Sequence, residues 1–117
     1  MRTITIEVAP PEINRARAMA AFAGEVQGEF ICFPTYERLA TVMNPKRVEI
    51  VQTMMGQGAL SIREVARRVD RDVKAVHGDV QKLLQTGVLE KTDEGRVVCP
   101  YDEVRFNFGL RSTENAA

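Results

Sequence analysis

Basic side chains recur through the middle of this chain at spacings suited to work on a polyanion. Arg63, Arg67 and Arg68 fall in one helical-period stretch, Arg71, Lys74 and Lys82 fall in or beside the next, and Lys91 and Arg96 bracket a glycine-containing turn. Guanidinium and ammonium groups neutralise phosphates and, held in a groove, donate to base edges. On a helix with no further context the same residues are only a solvated face. Their meaning therefore depends on the elements that hold them. Nothing comparable points to catalysis. His77 is the single histidine, Cys32 and Cys99 have neither metal-binding nor redox spacing, and no nucleophile sits beside a base. The expectation is a non-enzyme with no catalytic residue, metal or cofactor. Gly56-Gln57-Gly58 lacks both a preceding strand and a following Lys-Ser/Thr, so it reads as a turn rather than a phosphate loop.

The positioning elements follow from caps and periodicity. Asn44-Pro45 starts a helix through Met55, with Val48, Val51, Met54 and Met55 on one face. Ser61 and Glu64 form a capping box ahead of Ile62, Val65, Ala66 and Val69, whose offsets define a short amphipathic helix. Asp72 caps the next helix, with Val73, Val76, Val80, Leu83 and Leu84 as its apolar stripe and Gly87 at its C-terminal end. A hairpin follows, VLEK (88–91) and RVVC (96–99), turning at Gly95. The two later helices are separated by about three residues, so they must cross steeply, which leaves the second free to enter a major groove. This order predicts an α+β, mainly α fold: a winged helix-turn-helix with an N-terminal strand–helix extension and a C-terminal strand.

A helical wheel of 72–86 places Lys74, Ala75, Gly78 and Lys82 opposite the Val76–Val80 line, and Arg71 as well if the turn continues the spiral. Two small residues in the middle of a basic ridge let a backbone approach a groove closely. Gly78 costs about 1 kcal/mol relative to Ala, so either close approach offsets that cost or it is tolerated drift. His77 falls near the core border, where a packing or capping role is expected. Asp79 on the flank is placed to pair with Lys82. The candidate DNA contacts are thus Arg63, Arg67, Arg71, Lys74, Ala75, Gly78, Lys82, Lys91 and Arg96. Cys99 in the second hairpin strand is expected to pack.

The flanks are simpler. TITIEV (3–8) alternates as a half-buried strand, 12–24 is an Ala-rich helix, FICF (30–33) is extended, and Pro34-Thr35 opens a helix over 36–43. Val104, Phe106, Phe108 and Leu110 alternate with Arg105, Asn107 and Gly109 in a last strand over 104–110. The two outer strands are candidates to pair within or between chains, because a bare apolar edge invites aggregation. Three segments result: 1–43 for dimerisation or partner contacts, 44–99 for DNA binding, and 100–117 as strand and frayed tail. The 117 residues carry equal numbers of acidic and basic side chains, and the weak basic bias lies in 44–99, with ten Arg and Lys against eight Asp and Glu. No run approaches the ~20 apolar residues of a membrane span, and the start lacks a secretory core. A cytoplasmic protein with no membrane partner is expected.

Particular stretches are also familiar: NPKR (44–47), SIREVARRV (61–69), RDVKAVHGDV (71–80), GVLEK (87–91) and PYDEV (100–104). With the front-end strand, the Ala-rich helix and Gly28-Glu29-Phe30, this pattern resembles a family of small winged-helix transcriptional regulators of bacteria and archaea, MarR-like in the helix-turn-helix. Its members are often encoded beside a toxin gene and regarded as the antitoxin. The resemblance implies a homodimer on double-stranded DNA that represses its own operon and binds a cognate toxin. One departure is Gly78, where the family often carries Arg. A winged helix serving as a protein–protein interaction module without DNA binding is the alternative.

Overall fold

Alternation in the first strand decides how the two ends of the chain meet the helices. In a computed structural model that describes residues 1–9, 28–110 and 112, β1 (Thr3–Val8) buries Ile4 and Ile6 on one face. It is the centre of a three-stranded sheet in the order β2–β1–β5, with β2 spanning Glu29–Phe33 and β5 Glu103–Asn107. Both neighbours run parallel to β1. Ile6 lies level with Ile31 on one side and Phe106 on the other. Parallel strands need long crossovers. The helix expected over 12–24 falls in the β1–β2 connection and lies outside the described residues. The tail 111–117 lies outside them too, save Ser112.

Between β2 and β5 the chain forms α1 (Tyr36–Val42), α2 (Pro45–Met54), α3 (Ile62–Val69), α4 (Val73–Thr86) and a short hairpin, β3 (Glu90–Lys91) with β4 (Val97–Val98). Each helix start is fixed by a side-chain oxygen that accepts a backbone N–H otherwise left without a helical partner. Thr35 accepts from Arg38, Asn44 from Arg47, and Ser61 from Glu64, at 3.0–3.1 Å. The Ser61 box closes on that side only, because the Glu64 carboxylate turns to Arg67 and Arg68. Gly87, at φ 97°, ends α4 in the left-handed region that glycine adopts without a steric penalty. The hairpin strands are two residues long rather than four, since Val88 and Leu89 are drawn into the core and Leu60 pairs across to Val97.

The outer strands thus pair within the chain, and one hydrophobic cluster runs through all three sequence segments. It joins Ile4 and Ile6 to Leu39, Met43, Ile50, Met54, Val65, Val76, Val80, Leu83, Val97 and Tyr101. β5 is shorter than its alternation suggests: Phe108 and Leu110 lie beyond its end, and Leu110 is almost fully exposed. On the opposite sheet face Glu7 is buried, its carboxylate 3.5 Å from the Cys32 sulfur and 3.4 Å from Asn107 Nδ2. Arg2 ties the strand starts together through a two-pronged contact with Glu29 and stacks over the Tyr101 ring. Among the described residues, no helix is long and apolar enough to cross a membrane.

Candidate nucleic-acid interface

The groups that face solvent on α4 are set by what its other face buries. Val76, Val80 and Leu83 are fully enclosed, which turns Lys74, Ala75, Gly78 and Lys82 outward. Asp72 Oδ2 accepts from the backbone N–H of Lys74 and of Ala75 at 3.0 and 3.3 Å, so the first turn is held without using the Lys74 side chain. A Cβ placed on Gly78 meets nothing within 4 Å. Among the described residues nothing gives a packing reason for glycine there. Two residues lie further out than expected: Val73, on the apolar stripe, is 42% exposed, and His77, at the core border, is exposed rather than packed or capping. The apolar stripe closes over the core only from Val76 onward, because Val73 is the first residue of α4.

Arg71 departs from the expected ridge. Asp70, at φ 54° and ψ 53°, is left-handed and Asp72 is extended, so the spiral of α4 does not run back through the turn. The Arg71 guanidinium folds inward instead, with Nη2 2.9 Å from Asp79 Oδ2. The other Asp79 oxygen accepts from Arg47 Nε at 3.0 Å, and Arg47 Nη1 also donates to the Val42 carbonyl at 3.0 Å. Asp79 therefore pairs with two arginines and not with Lys82. The three side chains keep only 20, 19 and 16% exposure for Arg47, Arg71 and Asp79, and Arg71 Nη1 is buried without a hydrogen-bond partner among the described residues. This cluster pins the end of α1, the start of α2 and the α3–α4 turn to one carboxylate on α4. It positions α4; it does not present a cation to solvent.

The remaining basic residues divide by how they are engaged. Arg67 and Arg68 both reach Glu64, and Arg68 also donates to Gln57 Oε1 at 3.0 Å. Arg67 is largely exposed, and an exposed ion pair of this kind is weak enough for the guanidinium to be exchanged onto a phosphate. Arg63, Lys74, Lys82, Lys91 and Arg96 are exposed, and among the described residues their side chains have no ion-pair partner. The hairpin turn between Lys91 and Arg96 also exposes Asp93 and Glu94, which confines any phosphate contact to the two strand ends. Lys46, at the start of α2, is a further exposed cation beside Arg71 and Asp79 around one surface concavity. Sequence reasoning passed over it because it belongs to neither later helix. Cys99 is buried, and that burial pushes its thiol up, away from the reactive thiolate. Among the described residues, no group of His, Cys, Asp and Glu could hold a metal ion.

The ion pairs impose an acid-side signature. Burial acts to raise the Asp79 carboxyl, but its bonds to Arg47 and Arg71 outweigh this and hold it below the ordinary carboxylate range. Hydrogen bonds from Arg67 and Arg68 bring Glu64 down to about 2. Both groups are depressed in the folded state, so their stabilisation is fully present above the unfolded-state values near pH 4 and is lost as pH falls through the folded values. The urea midpoint should stay flat from about pH 7 to 5 on their account and fall below about pH 4. Asp79→Asn should remove part of that fall; an unchanged acid limb would mean that Asp79 is not held ionised by its arginines.

Fold and site together define a small α+β protein whose described residues form four helices, a short hairpin and a three-stranded sheet, with a partly basic face on α4. More narrowly, the chain belongs to the HVO_A0114 family, whose model matches residues 42–106, from the end of α1 into β5. No curated protein and no solved structure matches it.

Proposed function

We propose that the protein is a winged helix-turn-helix regulator that binds double-stranded DNA in a sequence-specific way, as a homodimer, and represses its own operon. α3 and α4 form the helix-turn-helix, α4 is the reading helix, and the β3–β4 hairpin is the wing. The observation that carries this reading is the outer face of α4. Among the described residues, Lys74 and Lys82 stand there without ion-pair partners, on either side of a Gly78 against which nothing packs. Arg63 and Arg67 on α3 and Lys91 and Arg96 on the wing supply backbone contacts. Arg71 is withdrawn from the reading set because its charge is spent on Asp79. The resemblance adds an antitoxin role, with the cognate toxin held away from the α4 face. The alternative, a winged helix that binds only protein, draws support from the internal engagement of Arg71, Arg47 and Arg68 and from the zero net charge.

Fluorescence anisotropy on the DNA upstream of the gene, against a scrambled duplex and across a salt series, separates the two. The expected result is a preference for the native sequence and an affinity that falls steeply with salt, because phosphate contacts release counterions. Equal, negligible binding to both duplexes at low salt would refute the DNA reading.

A further inference from the structure

β5 is paired on one side only among the described residues, and exposed aromatic side chains lie beside it. Phe106 is 44% exposed and Phe108 42%, and Tyr36, itself 51% exposed, sits against Phe108 with ring centroids 4.9 Å apart. Two concavities of about 320 and 430 Å³ meet there, sharing Met43, Val48 and Phe106 in their walls. An edge strand beside an apolar groove is a template for strand addition unless something covers it.

We propose that a second copy of this chain covers it, with β5 pairing antiparallel to the partner's β5 about a two-fold axis through Phe106. The residues around Phe106 are self-complementary in this register. Arg105 comes opposite the partner's Asn107, and Val104 comes opposite the partner's Phe108, one residue past the strand end, so polar groups share one face and apolar groups the other. The apolar side chains of each copy then lie on the face that borders the other's groove. Neighbouring registers are poorer. An axis through Arg105 sets two guanidinium groups opposite each other, which is destabilising. An axis through Val104 pairs Glu103 with Arg105 but sets Phe106 against Asp102. An axis through Asn107 runs most of the pairing past the strand end at Asn107. Joined at Phe106, two three-stranded sheets become one of six strands, and the two α4 helices are related by the same axis. The proposal rests on the homodimer of the regulator reading and specifies its interface.

Directly opposed residues in an antiparallel pair have Cα atoms about 4.5–5.5 Å apart, within disulfide reach. Phe106→Cys should therefore give a covalent dimer on mild oxidation. Val104→Cys should not, because its two copies lie several residues apart along the pair. Wild type, with Cys99 buried and Cys32 half-buried, is the control for cross-linking through the native cysteines. In sedimentation, wild type should be a dimer at micromolar concentration, and Phe106→Lys should weaken self-association at least tenfold while leaving the circular dichroism spectrum unchanged. A wild-type monomer at that concentration, or a dimer with no Phe106→Cys cross-link and no response to Phe106→Lys, would overturn the proposal. A monomer that still prefers its native DNA overturns this interface alone. A cross-linked dimer indifferent to DNA supports the interface and refutes the DNA reading.

Discussion

Asp79→Ala is expected to lower stability by about 2–3 kcal/mol, more than any other single charge deletion in the helical half. Removing one partner of a buried ion pair costs about 3–5 kcal/mol, because the remaining charge stays desolvated. Here two guanidiniums lose their carboxylate at once, while the residual 16–20% exposure lets water offset part of the penalty. Arg71 has the fewest alternatives, since its Nη1 is already buried without a partner among the described residues. In a domain of this size the loss corresponds to a fall in Tm of roughly 8–15 °C. Arg71→Ala should cost less than Asp79→Ala, because the Arg47–Asp79 contact survives it. Urea denaturation of the two single variants and the double variant gives the coupling between the residues, and additive effects would mean that the contact contributes nothing. Any loss of DNA affinity in Arg71→Ala should then track the loss of folded protein instead of relaxing preference for one base pair.

That substitution also marks the boundary of what the sequence reveals. Caps are local, and Thr35, Asn44, Ser61, Asp72 and Gly87 each act where composition and period put them. The stripe of Val76, Val80 and Leu83 is local in the same sense, and it correctly turns Lys74, Gly78 and Lys82 outward. The Arg47–Asp79 contact spans 32 residues and has no periodic signature. A wheel drawn through Arg71 assumes helical backbone at Asp70 and Asp72, where the chain is left-handed and then extended. Period alone puts Val73 on the buried stripe and His77 at its border, but burial also needs a neighbour at that level of the helix. The sheet is a further case. Alternation identifies the inward faces of β1 and β5, but only the three-dimensional path makes β1 central and parallel to strands on both sides. Ion-pair partners and sheet order are properties of tertiary structure, and they decide whether a basic residue is available to a ligand.

The second large effect is expected at the face left available. Lys74→Ala should weaken binding to the native operator by about 1–3 kcal/mol, roughly 5–150-fold, if its ammonium donates to a base edge. The fold should be unaffected, because Asp72 caps α4 through the Lys74 backbone and not its side chain. Lys91→Ala should act differently, reducing the salt slope by about one and weakening all duplexes alike, as a phosphate contact does. Gly78→Ala makes the sharpest comparison. With open space around its Cβ, alanine should stabilise α4 by about 1 kcal/mol through helix propensity. A partner surface pressed against that backbone, such as a DNA groove, makes the added methyl unwelcome. Higher thermal stability together with lower operator affinity in the same variant would place the nucleic acid on the Gly78 face of α4. Higher stability with unchanged affinity would instead mean that the glycine is tolerated drift and that the helix does not approach DNA closely at that point. Denaturation and anisotropy on one preparation read both quantities, so a loss of binding cannot be attributed to unfolding.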